Sequence, residues 1–154
     1  MKHYEPKKHS LIRDDLMASL VYYKTRYIKG IPSSHNMNTN DQGYYIKIIN
    51  DINNNITFAD LLVNSNYRFF LKKIIPLIMS QKNKFLIGNH RCSNKAEILF
   101  KGFCPIQDNF FANYTYVKSI CKEFIDGLPK SSVVLASCSS LANILGHYVA
   151  LNRE

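Results

Sequence analysis

Acidic residues are scarce in this sequence. Eleven Asp and Glu stand against 20 Lys and Arg, which leaves a formal net charge of +9. An excess of this sign favours partners that carry phosphate or other negative groups, although it also serves solubility alone, so both interpretations stay open. With an apolar content of 46% over 154 residues, the chain is expected to fold as one domain with a hydrophobic core rather than remain disordered.

Close cysteine pairs and long apolar runs are also missing. The four cysteines are far apart and form no CxxC motif, which disfavours a zinc site or a thioredoxin-like redox motif. The opening stretch "MKHYEPKKHSLIRDD" has no apolar signal-peptide core, and "FFLKKIIPLIM" is broken by lysine and proline. We therefore expect no membrane span, reduced thiols and a cytoplasmic location.

The first half of the chain predicts helices separated by a loop. Residues 1–10 are expected to be a flexible basic N-terminus, and residues 11–154 one α/β domain. A helix is predicted from Leu11 to Tyr23, then a loop from Lys29 to Gly43 on the strength of its Gly, Pro and Asn residues. A second helix is predicted from Tyr44 to about Asn53.

The next segments are less uniform. "ITFADLLV", beginning at Ile56, fits a strand and a helix equally well. Helical spacing returns with Phe70, Ile74 and Leu77, and Pro76 is expected to help end that helix.

The second half alternates strands with helices. Short apolar runs predict strands at Lys84–Gly88, Gly102 to Pro105 and Val133–Ser137. The helix Asn109–Asp126 connects the second strand to the third, and another helix follows Ser140. This order predicts a small, mostly parallel sheet flanked by helices.

The helix Asn109–Asp126 has the clearest pattern in the sequence. Asp108 or Asn109 is expected to cap it, and Lys118 and Lys122 are expected to face solvent. Its predicted apolar stripe consists of Phe110, Tyr114, Val117, Ile120 and Phe124.

Four small residues, Ser137-Cys138-Ser139-Ser140, join the last strand to its helix. Ligands of open parallel sheets bind at the carboxyl ends of the strands, where free amides and hydroxyls could hold a phosphate against the helix dipole. No glycine-rich fingerprint or Walker lysine accompanies the turn, so Ser139 as a simple helix cap remains an alternative. Cys138 is either a nucleophile at a helix N-terminus or a small buried residue. His90 is either a ligand contact or a solvated loop residue.

Several segments together resemble the GT-D-type glycosyltransferases and their viral and bacterial relatives, over roughly residues 11 to 152. They are "YIKGIPSSH", "TFADLLVNSNYRFFLKKIIPLI", "KFLIGNHRCS", "FCPIQDNFFANYTYVKSI" and "VVLASCSSLANILGHYVALN". The resemblance implies a Rossmann-like domain that binds a nucleotide-diphosphate sugar, usually with a divalent metal. It also implies a set of ligand-binding positions: Gly30, Asn64, Asn66, Gly88, Asn89, His90, Ser137, Ser139, Ser140 and Asn143.

The chain departs from this family at two points that concern catalysis. Cys138-Ser139 stands where the family has Gly-Pro, and the family's acidic Asp-x-Glu motif before "GIP" has no counterpart. A metal, Mn²⁺ or Mg²⁺, is therefore expected only if carboxylates are supplied elsewhere, and Lys29, His90 and Arg91 are candidate cations to replace it. The strand that follows "LN" in the family is missing as well, so we expect a domain shortened at both ends.

Three classes of function remain. The first is a glycosyltransferase-like domain, active or degenerate, with a nucleotide sugar as its ligand. The second is a non-catalytic basic domain that binds phosphate or nucleic acid, although no nucleic-acid motif is present. The third is an interaction domain that self-associates through an unpaired sheet edge.

Overall fold

The structure, a computed structural model, describes residues 5, 9–31, 47, 55–58 and 67–153. Its helices are α1 (Ser10–Val21), α2 (67–79), α3 (Ser93–Leu99), α4 (Tyr114–Asp126) and α5 (Ser140–Asn152). Its strands are β1 (Lys29–Ile31), β2 (Ile56–Phe58), β3 (Lys84–Asn89), β4 (Gly102–Ile106) and β5 (Val133–Ser137). Short 3₁₀ turns, His90–Cys92 and Phe110–Asn113, precede α3 and α4.

Strands β3, β4 and β5 form an all-parallel sheet in the order β4-β3-β5. The chain leaves β3, returns through α3 to β4 on one side, and then crosses through α4 to β5 on the other side. The predicted α/β fold, with a small parallel sheet flanked by helices, is confirmed. The predicted crossover helix between Gly102 to Pro105 and Val133–Ser137 is confirmed with it. A separate parallel pair is formed by β1 and β2.

The core lies on one face of the three-stranded sheet. Ile87 of β3 pairs with Cys104 of β4 and Ala136 of β5, so their side chains share a face in the parallel ladder. Helices α1, α4 and α5 cover this face with buried side chains: Ile12, Tyr114, Cys121, Ile125, Leu141, Ile144 and Leu145. The opposite face carries Leu86, Phe103 and Leu135, which remain half-buried.

Two expectations in the first half of the chain are wrong. Lys29–Ile31 is a strand rather than the start of a loop, because it pairs with Ile56–Phe58, which is remote in sequence. Pro76 does not end its helix. A π-helical turn, Phe70–Ile74, precedes it, and α-helix resumes over Ile75–Met79 with Pro76 in its first turn, where a missing N–H is tolerated. Leu77 is 60% exposed, and no side chain of α2 is buried.

The apolar stripe of α4 is shifted from the predicted one. Phe110 and Tyr114 are buried as expected, but Cys121 and Ile125 take the places assigned to Ile120 and Phe124, which are 37% exposed and half-buried respectively. Cys121 packs against Cys104 of β4, with the two Sγ atoms 3.9 Å apart. A small thiol gives a weak hydrophobic signal in sequence but fits close to the sheet.

The lysines of α4 are not free in solvent. Lys118 is half-buried and forms an ion pair with Asp15 of α1, and the Nζ of Lys122 lies 4.4 Å from the centre of the Tyr148 ring of α5. The polar side of α4 therefore contacts the two helices beside it. The expected cap by Asn109 is also absent, since neither Asn109, before the 3₁₀ turn, nor Asn113, before α4, makes a side-chain capping hydrogen bond.

Some expectations concern parts of the chain outside the described residues. The helix predicted from Tyr44 to Asn53 is one of them, with only Lys47 described there, in helical conformation. Asn64 and Asn66 also lie outside. None of the helices that the structure describes is long and apolar enough to cross a membrane.

Candidate functional site

The carboxyl ends of the three parallel strands meet at a small cleft. Strand β3 ends at Asn89, β4 at Ile106 and β5 at Ser137. A cleft of about 180 Å³ lies at this edge, lined by Asn89, Ile106, Gln107, Asp108, Phe110, Ser137, Cys138 and Ser139. The turn after β5 and the end of β3 thus face one shared space, as parallel topology requires of neighbouring strand ends.

The turn between β5 and α5 is tight and strained. Ser139 has φ 52° and ψ −138°, and among the described residues it is the only non-glycine with positive φ. Cys138, directly before it, and Leu141, two residues after it, are both buried, so the chain must reverse direction between two core contacts. Such conformations cost free energy and persist only where the surroundings impose them.

Helix α5 begins without a side-chain cap. The hydroxyl of Ser139 makes no capping hydrogen bond, so the interpretation of Ser139 as a simple cap is wrong. The N–H groups of Leu141 and Ala142 donate to the carbonyls of Cys138 and Ser139 at 3.2 and 2.9 Å. The positive end of the helix dipole is therefore directed at the cleft with no acidic residue in its first turn.

Asp108 connects the ends of β4 and β3. Its carboxylate accepts a hydrogen bond from Nδ2 of Asn89 at 2.5 Å and forms an ion pair with Arg91. The Asn89 side chain also accepts from the backbone N–H of Arg91 at 2.9 Å. The hydrogen bond from Asn89, together with the charge of Arg91, lowers the pKa of Asp108. The cleft therefore holds one ionised carboxylate whose charge is already paired with a guanidinium.

Cys138 lies in the wall of the cleft but is poorly suited to act as a nucleophile. The residue is 8% exposed, and burial, with a smaller effect of the nearby Cys104, raises the pKa of its thiol to about 11. At neutral pH the thiol is protonated, and it is the thiolate that attacks. The alternative of a small buried residue is the one that the geometry favours.

The other predicted ligand positions surround the cleft or lie away from it. Gly88 is buried in β3, and His90 is half-buried with its Nδ1 3.4 Å from the carbonyl oxygen of Ile106. The Oγ of Ser140 is buried and has no hydrogen-bond partner among the described residues. Gly30 lies in the separate β1–β2 pair. Asn143 is exposed on α5, where its carbonyl oxygen is 3.5 Å from the Tyr27 hydroxyl.

Asp108 is the residue that sequence patterns missed, since they indicated it only as a helix cap. The sequence did contain an indication, because Asp108 follows the apolar run of β4 by two residues. Ligands of an open parallel sheet bind at the carboxyl ends of its strands. Of the candidate cations, Arg91 contacts Asp108, whereas Lys29 is buried at the start of β1, where burial lowers its pKa.

The described residues contain no group of three His, Cys, Asp or Glu side chains placed to hold a metal ion. No family model, curated protein or solved structure matches this chain.

Proposed function

We propose that the cleft binds the diphosphate of a nucleotide-diphosphate sugar, and that the chain is a glycosyltransferase-like domain with slow or absent transfer. The observation that carries this proposal is the uncapped N-terminus of the 13-residue helix α5, which opens on a cleft shared by three parallel strand ends. The positive end of the helix dipole attracts an anion, and the first-turn N–H groups that the turn itself does not use, unlike those of Leu141 and Ala142, can donate to it. The hydroxyls of Ser137 and Ser139 add hydrogen-bond donors beside it.

The size of the cleft limits how much of the ligand it can enclose. Its volume of about 180 Å³ is below the roughly 300–1,000 Å³ of sites that enclose a whole small molecule. A phosphate group can enter, while the nucleoside and the sugar would lie across the rim. Binding is therefore expected to be weak, in the range of tens to hundreds of micromolar, on the order of 5–6 kcal/mol.

The charge pairing at the cleft supports binding without a metal. Transfer from a nucleotide sugar builds negative charge on the departing diphosphate, which a transferase must stabilise with a metal or with cations. The carboxylate at this cleft, Asp108, is already engaged by Arg91 and Asn89. Arg91 is exposed beside the cleft and bonds Asp108 through one nitrogen, so a free edge of its guanidinium can donate to a phosphate, as arginine does in bidentate contacts.

Calorimetric titration of UDP, GDP and their sugars, with and without Mn²⁺ or Mg²⁺, tests the proposal. We expect weak binding that changes less than about threefold with metal. Arg91→Gln should weaken it about tenfold, the loss of one charge-assisted contact. Arg68→Gln, which removes the same charge from the exposed surface of α2, should leave it unchanged.

Two results would overturn parts of this proposal. Tight binding that requires the metal would contradict metal-free binding and would favour an active transferase instead. If the protein is shown by circular dichroism to be folded and binds no nucleotide, the proposed ligand is wrong and the turn has only a structural role.

A further inference from the structure

Two basic cavities lie near the amino end of β5, at the edge of the sheet opposite to the cleft. Helix α5 runs back from the carboxyl edge, so its last turn lies near Ser132, at the start of β5. Two cavities of about 530 and 370 Å³ adjoin there and share Val149 and Arg153 in their walls. We call these two adjoining cavities together the basic groove. Its walls carry four cationic side chains, Lys24, Arg26, Lys130 and Arg153, and none of its described lining residues is acidic.

Two of these cations are held in place by neighbouring residues. The guanidinium of Arg153 donates to the carbonyl oxygens of Ile125 and Leu128, and Nζ of Lys24 donates to the carbonyl oxygen of Ala150 at 3.1 Å. The two carbonyl oxygens fix the position of Arg153 without cancelling its charge. The groove therefore presents an ordered positive charge at Arg153, so less side-chain entropy is lost when a ligand binds there.

The remaining cations are available to a partner. Arg26 is exposed in the turn before β1, and Lys130 is exposed in the turn before β5. Neither forms an ion pair with any residue that the structure describes. Tyr27 adds an aromatic side chain to the wall between Arg26 and α5.

We propose that the basic groove binds the phosphodiester backbone of single-stranded nucleic acid. Cations placed along an extended groove match a chain of evenly spaced negative charges better than they match one small anion. Tyr27 is half-buried, with its ring against those of Tyr22 and His147. The part of the ring that lines the groove is a surface on which a base can stack, the combination typical of grooves for single strands. The groove is separate from the cleft, so this proposal does not depend on nucleotide-sugar binding.

Fluorescence anisotropy with a labelled 20-nucleotide single strand tests the site. Arg26→Glu/Lys130→Glu reverses two groove charges. Lys72→Glu/Lys95→Glu makes the same change in net charge at exposed positions of α2 and α3, outside the groove. We expect the groove variant to bind at least about tenfold more weakly, and the control variant to change the affinity less than about twofold.

The salt dependence provides a second, independent measurement. Each neutralised phosphate of a single strand contributes about −0.7 to the slope of log K against log salt concentration. The groove variant should therefore reduce the steepness of that slope by about 1.4, and the control variant should not. An equal loss of affinity in both variants would overturn the proposal in favour of diffuse attraction by net charge. If free phosphate or polyaspartate competes as well as unlabelled single strand does, the proposal is overturned in favour of a general anion site. Thermal melting of each variant verifies that both proteins are folded.

Discussion

Asp15 joins α1 to α4 through a single carboxylate oxygen. That oxygen accepts hydrogen bonds from the Tyr114 hydroxyl and the Lys118 ammonium group. Burial alone would raise the pKa of Asp15, but the bonds from Lys118 and Tyr114 outweigh it and lower the pKa. A carboxyl whose folded-state pKa is depressed stabilises the protein above its unfolded pKa of about 3.9, and the contribution is lost as pH falls through the folded value.

Asp15→Asn should reduce the free energy of unfolding at pH 7 by about 1–2 kcal/mol, since charged hydrogen bonds at a partly exposed site are lost. The difference between the variant and the native protein should shrink as the pH falls below about 3.9, because the carboxyl is protonated first in the unfolded chain and only at lower pH in the folded protein. Urea unfolding at pH 7 and at pH values below about 3.9 measures both quantities. Asp14→Asn, beside the exposed Arg13, is the control and should cost less than about 0.5 kcal/mol. A pH-independent difference for Asp15→Asn would contradict the role of the charge.

Ser139 and Ser137, two residues apart, should respond in opposite ways to glycine. Ser139 has a positive φ of 52°, which glycine adopts without steric cost, so Ser139→Gly should leave the free energy of unfolding unchanged or raise it by up to about 1 kcal/mol. Ser137 is an extended strand residue, where glycine should cost about 0.5–1 kcal/mol. Chemical denaturation of the two variants measures the difference. A loss of stability in Ser139→Gly would show that the turn is not strained.

At the scale of elements, the rotation of α4 about its axis decides which side chains the core receives. Two isoleucines of this helix differ sharply, since Ile125 is 2% exposed and Ile120 is 37% exposed. Ile125→Ala should cost about 2–4 kcal/mol, the range for aliphatic side chains deleted from a core, and Ile120→Ala less than about 1 kcal/mol. Equilibrium unfolding in urea provides both values. A larger cost for Ile120→Ala than for Ile125→Ala would mean that the helix packs as the sequence pattern predicted, and equal costs would contradict the observed burial of Ile125.

The burial of Phe124 also depends on how α4 is rotated about its axis. The sequence pattern places it in the core, where truncation to alanine costs about 3–5 kcal/mol. In the structure it is half-buried and packs edge-to-face on Phe85, with ring centres 6.2 Å apart. Because part of the ring already faces water, Phe124→Ala should cost less, about 2–3 kcal/mol. A thermal or urea unfolding curve for the variant distinguishes the two ranges.

How far sequence patterns predict an element depends on where its stabilising contacts lie. Strands β3, β4 and β5 and helix α4 are encoded locally, in apolar runs and helical spacing, and all were predicted close to their observed bounds. Strand β1 was missed because its three residues are ordered by pairing with β2, a contact between segments about 27 residues apart that no local pattern carries. The passage of α2 through Pro76 was missed because it depends on a π turn.

The same distinction, between local patterns and long-range contacts, applies to the site. Parallel topology alone predicts that the turn after β5 and the end of β3 open on the same edge, and both contribute to the cleft. The pairing of Asp108 with Arg91 and Asn89 depends on side-chain placement across two loops. The basic groove is assembled from residues far apart in sequence, Arg26, Lys130 and Arg153 among them, so no sequence motif predicts it.

At the scale of the whole molecule, burial is concentrated around β3. This strand is hydrogen-bonded on both sides, to β4 and β5, and its Phe85 and Ile87 are 6% and 0% exposed. Helix α2 has no buried side chain along its length, and Tyr67, Phe69, Leu71 and Leu77 are exposed. Local opening of a segment costs little where few apolar contacts hold it, whereas central strands open only when the whole domain unfolds.

Hydrogen exchange should therefore separate these two elements. Amides of β3 should exchange at the rate set by global unfolding, with a free energy that falls steeply in low concentrations of urea. Amides of α2 should exchange at least about a hundredfold faster, a difference of roughly 3 kcal/mol, with little dependence on urea. Mass spectrometry of peptides spanning residues 67–79 and 84–89 measures both, and residues 114–126 of α4, which bury Tyr114, Cys121 and Ile125, serve as a helical control expected to follow β3. Slow, urea-sensitive exchange in α2 would contradict this ranking and would mean that the helix unfolds together with the sheet.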